Sequence, residues 1–233
     1  ELDTEILHQF HDRSKMMMGI LPTGTVPHEP KQRLSSIFWS LPSHQLNNFL
    51  HNSQAHSDWL NQVSKRWKPA ADWLEQVIAQ PEQKSQWLTA NYRDVVLSKF
   101  GEGRIGVMGD AAHAMSPQLG QGANMALLDA WALGQAVQSA RKNEALDYVQ
   151  LWQTYHQHRQ SSTAFYQFLS RLLTPLYQSD LWWAGGLRDL SFAWMYRIPY
   201  FRKEMAVTIS GLKLGMFSQM NYRDIAKQNN HSV

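Results

Sequence analysis

Cysteine is absent from the 233 residues of the chain. Its absence excludes a disulfide scaffold, an iron–sulfur cluster, a thiolate zinc site and a cysteine nucleophile. It is also typical of a reducing compartment, so we expect a cytoplasmic location. Charged residues are scarce, at 18% against about 25% in average proteins. With 43% hydrophobic residues, the chain can bury a sizeable core, which excludes a disordered tail.

The chain also lacks a large excess of charge and a long uninterrupted apolar run. A net charge of +3 is too small to predict nucleic-acid binding. The most apolar stretch, residues 181–201, contains Arg188, Asp189 and Arg197, whereas a membrane span needs about 20 residues with few or no charges. We expect this aromatic stretch to form a homodimer contact or a cover over a substrate pocket. A helix on a membrane surface is the alternative.

Strand patterns dominate the first 41 residues. Two apolar runs, residues 15–21 and 33–41, are each followed by a proline. The loop between them contains Pro22, Gly24 and Pro30, which are typical turn residues. The two runs therefore predict an antiparallel strand pair.

Helical patterns dominate residues 43–92. Ser43 and Ser57 stand where helix N-caps are expected. Trp-Leu pairs recur every 14 residues, but Pro69 and Pro81 interrupt any continuous helix. This segment therefore predicts several short helices that pack on one surface.

The rest of the chain combines short strands with long helices. Apolar runs at residues 94–97 and 104–109 predict two strands that flank a turn, and helical periodicity extends over residues 124–140 and 146–173. The predicted fold class is α+β. The predicted domains are residues 1–92, 93–141 and 142–233.

Residues 109–124 carry the pattern that is most informative about function. An apolar strand ends at Asp110, and a loop with Pro117, Gly120 and Gly122 opens directly onto a helix. The carboxylate can accept hydrogen bonds from vicinal hydroxyls, the glycines let a flat ligand approach the backbone, and the helix start suits an anionic group. A phosphate and a flavin ring both satisfy this arrangement. No P-loop occurs in the chain, and no Gly-x-Gly-x-x-Gly fingerprint stands at the strand-to-helix turn of an early βαβ unit.

This segment resembles the second FAD motif of the flavin-dependent aromatic hydroxylases, the para-hydroxybenzoate hydroxylase-like FAD monooxygenases. The resemblance is carried by Gly109-Asp110-Ala111-Ala112-His113, by Pro117 and by Gly120-x-Gly122-x-Asn124. Residues 18–24 and 38–41 are similar to strands of that family's substrate-domain sheet.

The resemblance implies a two-domain FAD-monooxygenase fold. Residues 1–92 would be the substrate-domain sheet and helices, residues 93–141 the C-terminal part of the FAD-binding domain, and residues 142–233 a helical region. The N-terminal FAD-domain segment with the Gly-rich fingerprint would be missing. We therefore expect the chain to be the C-terminal portion of a longer enzyme, and to be inactive alone.

The resemblance also implies roles in cofactor binding. Asp110 would bind the ribityl hydroxyls of FAD, and the loop at Pro117 would lie beside the reactive edge of the flavin. A third group of residues would face the pyrimidine edge and stabilise negative charge on the reduced ring. These residues are Gly122, Ala123 and Asn124, and Gly120 would also belong to the cofactor-binding loop. The implied reaction is hydroxylation of an apolar small molecule, aromatic or polyketide-like, with NAD(P)H as reductant and O₂ as oxidant.

Three residues of the sheet are candidates for substrate binding. Alternation along a strand places Met18 and Ile20 on one face, and it places Trp39 on the face opposite to Phe38. Met18, Ile20 and Trp39 would either line a substrate cavity or pack in an ordinary core. The sequence leaves both interpretations open.

No catalytic residue is assigned, because the sequence shows no obvious general base. His113 is interpreted as a hydrogen-bonded structural residue and Asp129 as a solvated or paired one. The ten histidines form no convincing ligand pair, so no metal site is predicted. Two other functions stay open: a flavin-dependent reductase of the geranylgeranyl-reductase type, and a flavin-free binding module.

Overall fold

Three antiparallel strands form a sheet near the start of the chain. The computed structural model describes residues 5–26, 28–78, 88–142 and 145–220. The strands are β1 His8–Asp12, β2 Met16–Val26 and β3 Glu29–Trp39, in the order β1-β2-β3. Three helices follow: α1 Ser43–His51, α2 Ser53–Arg66 and α3 Lys68–Ile78. These elements belong to the first of two units, which comprises Glu1–Ala90 and Leu176–Gly186.

The second unit comprises Asn91–Pro175 and Leu187–Val233. Its short strands are β4 Gly101–Glu102, β5 Ile105–Gly106, β6 Arg141–Lys142 and β7 Ala145–Leu146. Its helices are α4 Asp110–His113, α5 Gly122–Ala140, α6 Tyr148–Tyr177, α7 Ala184–Arg197 and α8 Pro199–Ile209, although the end of α6 and the start of α7 belong to the first unit. No helix in the described ranges has both the length and the hydropathy to cross a membrane.

The predicted antiparallel pair is confirmed as β2 and β3, but the hairpin is tighter than the sequence suggested. Pro22 and Gly24 lie inside β2 rather than in a loop, and the strand register shifts between them. Proline and glycine are tolerated in a strand at such irregularities, because the ladder there lacks regular hydrogen bonds. The chain reverses beside His28, whose φ is 72°.

Strand register decides which residues of the sheet meet the helices. Met18 is paired with Trp39 across the strands, and Ile20 is paired with Ile37. The side chains of directly opposed residues lie on the same face of an antiparallel sheet. On this face Met18 is 1% exposed, within a cluster that buries side chains from all three helices. The buried members are Met18, Ile20, Phe49, Trp59, Val63, Ala70, Ala71 and Leu74.

The helices of the first unit begin close to the predicted positions, but neither predicted serine caps its helix. Pro42 stands at the N-cap position of α1, without a side-chain capping bond. α1 starts at Ser43, but the side chain of Asn52 caps α2 by accepting a hydrogen bond from the N–H of Gln54 at 3.0 Å. Ser57, the predicted cap, lies inside α2. Asparagine is as good an N-cap as serine, so the sequence alone did not distinguish Asn52 from Ser57. Trp87, the third of the regularly spaced tryptophans, lies outside the described residues.

Residues 94–97 do not form the predicted strand. Their backbone is held instead by a loop and by a side chain: the N–H of Val95 donates to the carbonyl oxygen of Ala114 at 2.9 Å, and the side chain of Gln167 donates to the carbonyl oxygen of Val95. A strand needs a neighbouring strand to pair with, and none pairs with this segment among the described residues. The predicted helices near residues 124–140 and 146–173 are confirmed as α5 and α6.

The hairpin of β4 and β5 is covered by an indole ring. Gly101 and Gly106 are directly paired, and a Cβ atom on either would overlap the ring of Trp152. The indole N–H of Trp152 donates to the carbonyl oxygen of Gly103 at 2.9 Å. The two glycines are therefore required by the close approach of a large side chain.

We expect Gly106→Ala to lower the free energy of unfolding by about 1–3 kcal/mol, because the added methyl group must displace the indole ring. Gly134→Ala is the matched control, since Gly134 lies in α5 with no atom within 4 Å of the added carbon. That change should be neutral or stabilising by up to about 1 kcal/mol. Chemical denaturation followed by circular dichroism measures both, and equal effects of the two variants would contradict the close packing at Gly106.

Candidate functional site

A glycine turn presents the acidic residue of the predicted motif. Gly109 has φ 59° and ψ −141°, a backbone conformation that side chains with a Cβ rarely adopt. α4 begins immediately after it, and the N–H groups of Ala112 and His113 both donate to the carbonyl oxygen of Gly109. Asp110 is thereby placed in the first turn of α4, where it is exposed.

The carboxylate of Asp110 lies beside the beginning of α5. A Cβ atom added to Gly122 would stand 3.8 Å from Asp110 Oδ1. Gln121 is the N-cap of α5 but its side chain makes no capping bond, and the first bond into the helix is from Met125 N–H to the Gln121 carbonyl. The N–H groups of residues 122–124 have no acceptor in the part of the chain that the structure describes. An exposed carboxylate and an open helix N-terminus therefore lie next to each other.

The loop before α5 is compact and open on one side. Pro117–Leu119 form a 3₁₀ turn, which ends at Gly120 with φ 62°. No atom lies within 4 Å of the position that a Cβ of Gly120 would take. At the start of the loop, the hydroxyl of Ser170 in α6 donates to the carbonyl oxygen of Ser116 at 3.0 Å. The loop is thus anchored at one end and leaves free space at the glycine.

The side chain of Asn124 is held within the protein rather than exposed to a ligand. It donates to Gln121 Oε1 at 3.0 Å, and Gln121 Nε2 donates to the carbonyl oxygen of Ile209 at 2.6 Å. A Cβ on Gly211 would overlap the Asn124 amide. The end of α8 therefore orders the start of α5, a link that no local pattern in the sequence indicates.

A buried carboxylate behind the glycine turn is the main feature that the sequence did not identify. Asp129 is 0% exposed and accepts hydrogen bonds from Gly109 N–H, from His113 and from Arg159. Burial alone would raise the pKa of Asp129, but the bonds from His113, Arg159 and Gly109 outweigh it, so the pKa lies below its usual value of 3.8. The predicted hydrogen bonding of His113 and pairing of Asp129 are confirmed.

The sequence could have indicated this cluster through one signal. An acidic residue at position 129 falls on the buried stripe of α5, with Met125 and Ala132 one helical turn to either side. An acid on a buried stripe must be paired, because an isolated buried charge is very costly. Its partner Arg159 follows the same rule on α6, where it is 2% exposed.

The three candidate substrate residues lie in the first unit, in the core described above. Met18 and Ile20 are buried, and the ring of Trp39 stacks on that of Trp59 at a centroid distance of 4.5 Å. On the other face of the sheet, the ring of Phe38 lies over Gly19. Substrate binding by Met18, Ile20 and Trp39 stays a prediction, which this packing does not support.

The residues present fit a flavin with its ribityl chain. Asp110 is exposed, and so are Gly122 and Ala123 at the start of α5. No group of three or more potential metal ligands occurs within the described ranges. The site combines the Asp110 carboxylate, an acceptor for hydroxyl groups, with the N–H donors at the start of α5.

Comparison with known proteins identifies the family and the fold of the chain. The family model described as "FAD binding domain" matches residues 45–165, which is more than half of the chain. A chloroplastic zeaxanthin epoxidase from an Oncidium hybrid cultivar is 30% identical over 115 residues, which are 47% of this chain and 17% of that protein.

Two solved structures show the same fold. Klebsiella pneumoniae HpxO complexed with FAD and uric acid has a TM-score of 0.54 at 16% identity, covering 99% of this chain and 50% of that one. PqsL from Pseudomonas aeruginosa, described as "a probable FAD-dependent monooxygenase", also has a TM-score of 0.54 at 16% identity, covering 76% of this chain and 44% of that one. The chain spans about half the length of these structures and about a sixth of the epoxidase. The predicted α+β class and the partial FAD-monooxygenase fold are confirmed, and the chain belongs to the FAD binding domain family.

Proposed function

We propose that this chain forms the flavin-binding half of the FAD site in an FAD-dependent monooxygenase. The observation that carries the proposal is the exposed Asp110 carboxylate beside the open N–H groups at residues 122–124. The parent enzyme would act on an apolar small molecule, aromatic or polyketide-like, with NAD(P)H as reductant. Residues 1–92 would form its substrate domain, and residues 93–141 and 142–233 the end of its FAD domain and a helical region.

Each part of the motif has a separate task in this proposal. Asp110 accepts hydrogen bonds from the ribityl hydroxyls, a charge-assisted bond that is stronger than a neutral one. The N–H groups of Gly122, Ala123 and Asn124 donate to the pyrimidine edge of the ring, and the α5 dipole stabilises negative charge there. The Pro117 loop and Gly120 lie along the ring and exclude water from it.

The cofactor supplies the redox chemistry that these side chains cannot perform. The chemistry that FAD would supply is oxidation of NAD(P)H and activation of O₂, with one oxygen atom passing to the substrate and the other leaving as water. This chain binds and orients the ring and stabilises its charge. We also propose that the chain does not turn over alone, because its Gly-x-Gly-x-x-Gly segment, residues 101–106, forms the β4–β5 hairpin and not the strand-to-helix turn that binds the ADP half of FAD.

A titration of the isotope-labelled chain with FAD tests the binding site. Millimolar FAD should shift the amide signals of Gly122, Ala123 and Asn124 in nitrogen–proton correlation spectra, since such spectra detect weak binding. Asp110→Ala should raise the dissociation constant about 10- to 100-fold, the loss expected for hydrogen bonds to a charged group.

Asp189→Ala is the matched control for that titration, because Asp189 is exposed and contacts only Arg188 among the described residues. It should leave the dissociation constant unchanged. Absence of any shift at residues 122–124 would overturn the proposal. So would an Asp110→Ala chain that binds FAD as well as the wild-type chain.

The monooxygenase assignment is tested separately on the intact parent enzyme. Oxidation of NAD(P)H should be accompanied by O₂ uptake and by a product that contains one additional oxygen atom. Saturation of a substrate double bond without O₂ uptake would contradict this assignment and favour the flavin-dependent reductase instead.

A further inference from the structure

Three elements of the second unit meet at one buried carboxylate. Asp129 in α5 accepts the Gly109 N–H at 2.7 Å and His113 Nε2–H at 2.6 Å, both at Oδ2. Its other oxygen, Oδ1, accepts Arg159 Nε–H at 2.7 Å from α6. All four residues are buried, so water does not compete for these bonds.

The bond to Gly109 links this cluster to the candidate flavin site. Gly109 is the residue with the positive φ whose conformation starts α4 and orients Asp110 outward. Its N–H points inward to Asp129, while the next residue carries the exposed carboxylate. A change in the acceptor at position 129 therefore acts on the turn without touching a ligand.

Arg159 fixes the orientation of the Asp129 carboxylate. Besides its bond to Asp129, its guanidinium donates to the carbonyl oxygen of Met125 at 3.4 Å, one turn earlier in α5. Tyr155 is buried beside the same carboxylate, and burial followed by the negative charge of Asp129 raises the pKa of its hydroxyl. Arg159 thus bonds to α5 at two points, and it keeps the Asp129 carboxylate oriented and charged.

We propose that Asp129 is a positioning residue for the cofactor site, which fixes the Gly109 turn and thereby places the Asp110 carboxylate beside the start of α5. His113 and Arg159 keep Asp129 in the required orientation. This inference rests on the proposed function for the identity of the ligand. The effect on the turn does not depend on any ligand.

A carboxylate is needed at this position, and an amide does not replace it. Three N–H donors converge on Asp129, and a carboxylate offers acceptors on both oxygens. In Asp129→Asn one oxygen is replaced by an NH₂ group, so a donor faces a donor. Either the Gly109 N–H or the Arg159 guanidinium then loses its partner.

Amide hydrogen exchange in the ligand-free chain tests the effect on the turn. Asp129→Asn should accelerate exchange of the Gly109 amide at least about tenfold, the change expected when one buried hydrogen bond is lost. Amides in the middle of α6 should keep their protection. Asp147→Asn is the matched control, because Asp147 is a hydrogen-bonded, partly exposed aspartate just before α6. Unchanged Gly109 exchange in Asp129→Asn would overturn the inference.

A double-mutant cycle distinguishes positioning from a purely structural role. Asp129→Asn alone should raise the dissociation constant for FAD about tenfold or more. In a chain that already carries Asp110→Ala, Asp129→Asn should not raise the dissociation constant further, because the carboxylate that Asp129 positions has been removed. Additive effects of the two changes would overturn the positioning role. A wild-type chain that does not bind FAD would refute the proposed function, while the exchange measurement would still decide the role of Asp129 in the turn.

A second variant keeps the inference testable should Asp129→Asn not fold. His113→Ala leaves both the Asp129–Arg159 pair and the Gly109 bond in place. Because His113 is one of the two side chains that keep Asp129 in orientation, its loss lets the carboxylate move and should accelerate Gly109 exchange and weaken FAD binding, by about threefold each. No change in either quantity would overturn the inference.

Discussion

Replacement of Arg159 by methionine is expected to lower the free energy of unfolding by about 3–5 kcal/mol, because it leaves the Asp129 carboxylate buried without its cationic partner. This is a large part of the total stability of a typical domain, about 5–15 kcal/mol. Chemical denaturation followed by circular dichroism measures the change.

Arg171→Met is the matched control for this prediction. Arg171 lies on the same helix and pairs with Asp94 at 2.6 Å, but both side chains are partly exposed. A surface ion pair of this kind contributes about 0–1 kcal/mol. Equal losses in Arg159→Met and Arg171→Met would show that the buried pair does not have the proposed role in stability.

The pH dependence of the Arg159→Met variant follows from the pKa of Asp129. In the wild-type protein that pKa lies below 3.8, so the stabilisation is present at neutral pH and is lost as the pH falls through the folded-state pKa. Removal of Arg159 raises the pKa of Asp129, because burial raises that pKa and one of the hydrogen bonds that lower it is then lost. The deficit of the variant should therefore shrink as the pH falls below neutral, because Asp129 of the variant is protonated at a higher pH than Asp129 of the wild-type protein and protonation removes the unpaired charge.

Trp59→Ala is expected to lower the free energy of unfolding of the first unit by about 3–5 kcal/mol, because it leaves a cavity in a packed core. Trp59 is buried between the rings of Trp39 and Phe49, at centroid distances of 4.5 and 5.9 Å. Urea titration monitored by near-UV circular dichroism should show a lower transition midpoint.

Trp182→Ala is the control for the core substitution. Trp182 belongs to the same unit and is 80% exposed, so its removal leaves no cavity and should change the free energy of unfolding by less than about 0.5 kcal/mol. A loss in Trp182→Ala as large as that in Trp59→Ala would contradict the placement of the core.

Local patterns predicted the elements that carry the candidate site. The run of turn residues before Asn124, followed by helical periodicity, located the start of α5 within two residues. Such signals are local, because a cap or a glycine with positive φ is determined by its immediate neighbours. The same reasoning placed Asp110 at the end of an apolar run, where the structure shows it exposed beside Gly122.

The predicted buried stripe of α5 was partly wrong. Helical periodicity predicts an apolar stripe of Met125, Leu128, Ala132, Leu133 and Val137. Met125 and Ala132 are buried as predicted, but Asp129 and Ala136 are buried in place of the other three. Small residues pack where α5 lies close to its neighbours, and an acid is buried there because Arg159 neutralises it. Asp129 and Ala136 are less hydrophobic than leucine and valine. A pattern based on hydrophobicity therefore selects Leu128, Leu133 and Val137 in their place.

By itself, the sequence determined the antiparallel hairpin, the long helices and the motif from Gly109 to Asn124, since each depends on neighbouring residues. Only the tertiary structure decided that Met18 packs against helices and that Asp129 supports the motif. The donors to Asp129 lie 16, 20 and 30 residues away along the chain. Contacts between such distant residues depend on how whole helices and strands pack, and no local pattern of residues encodes that packing.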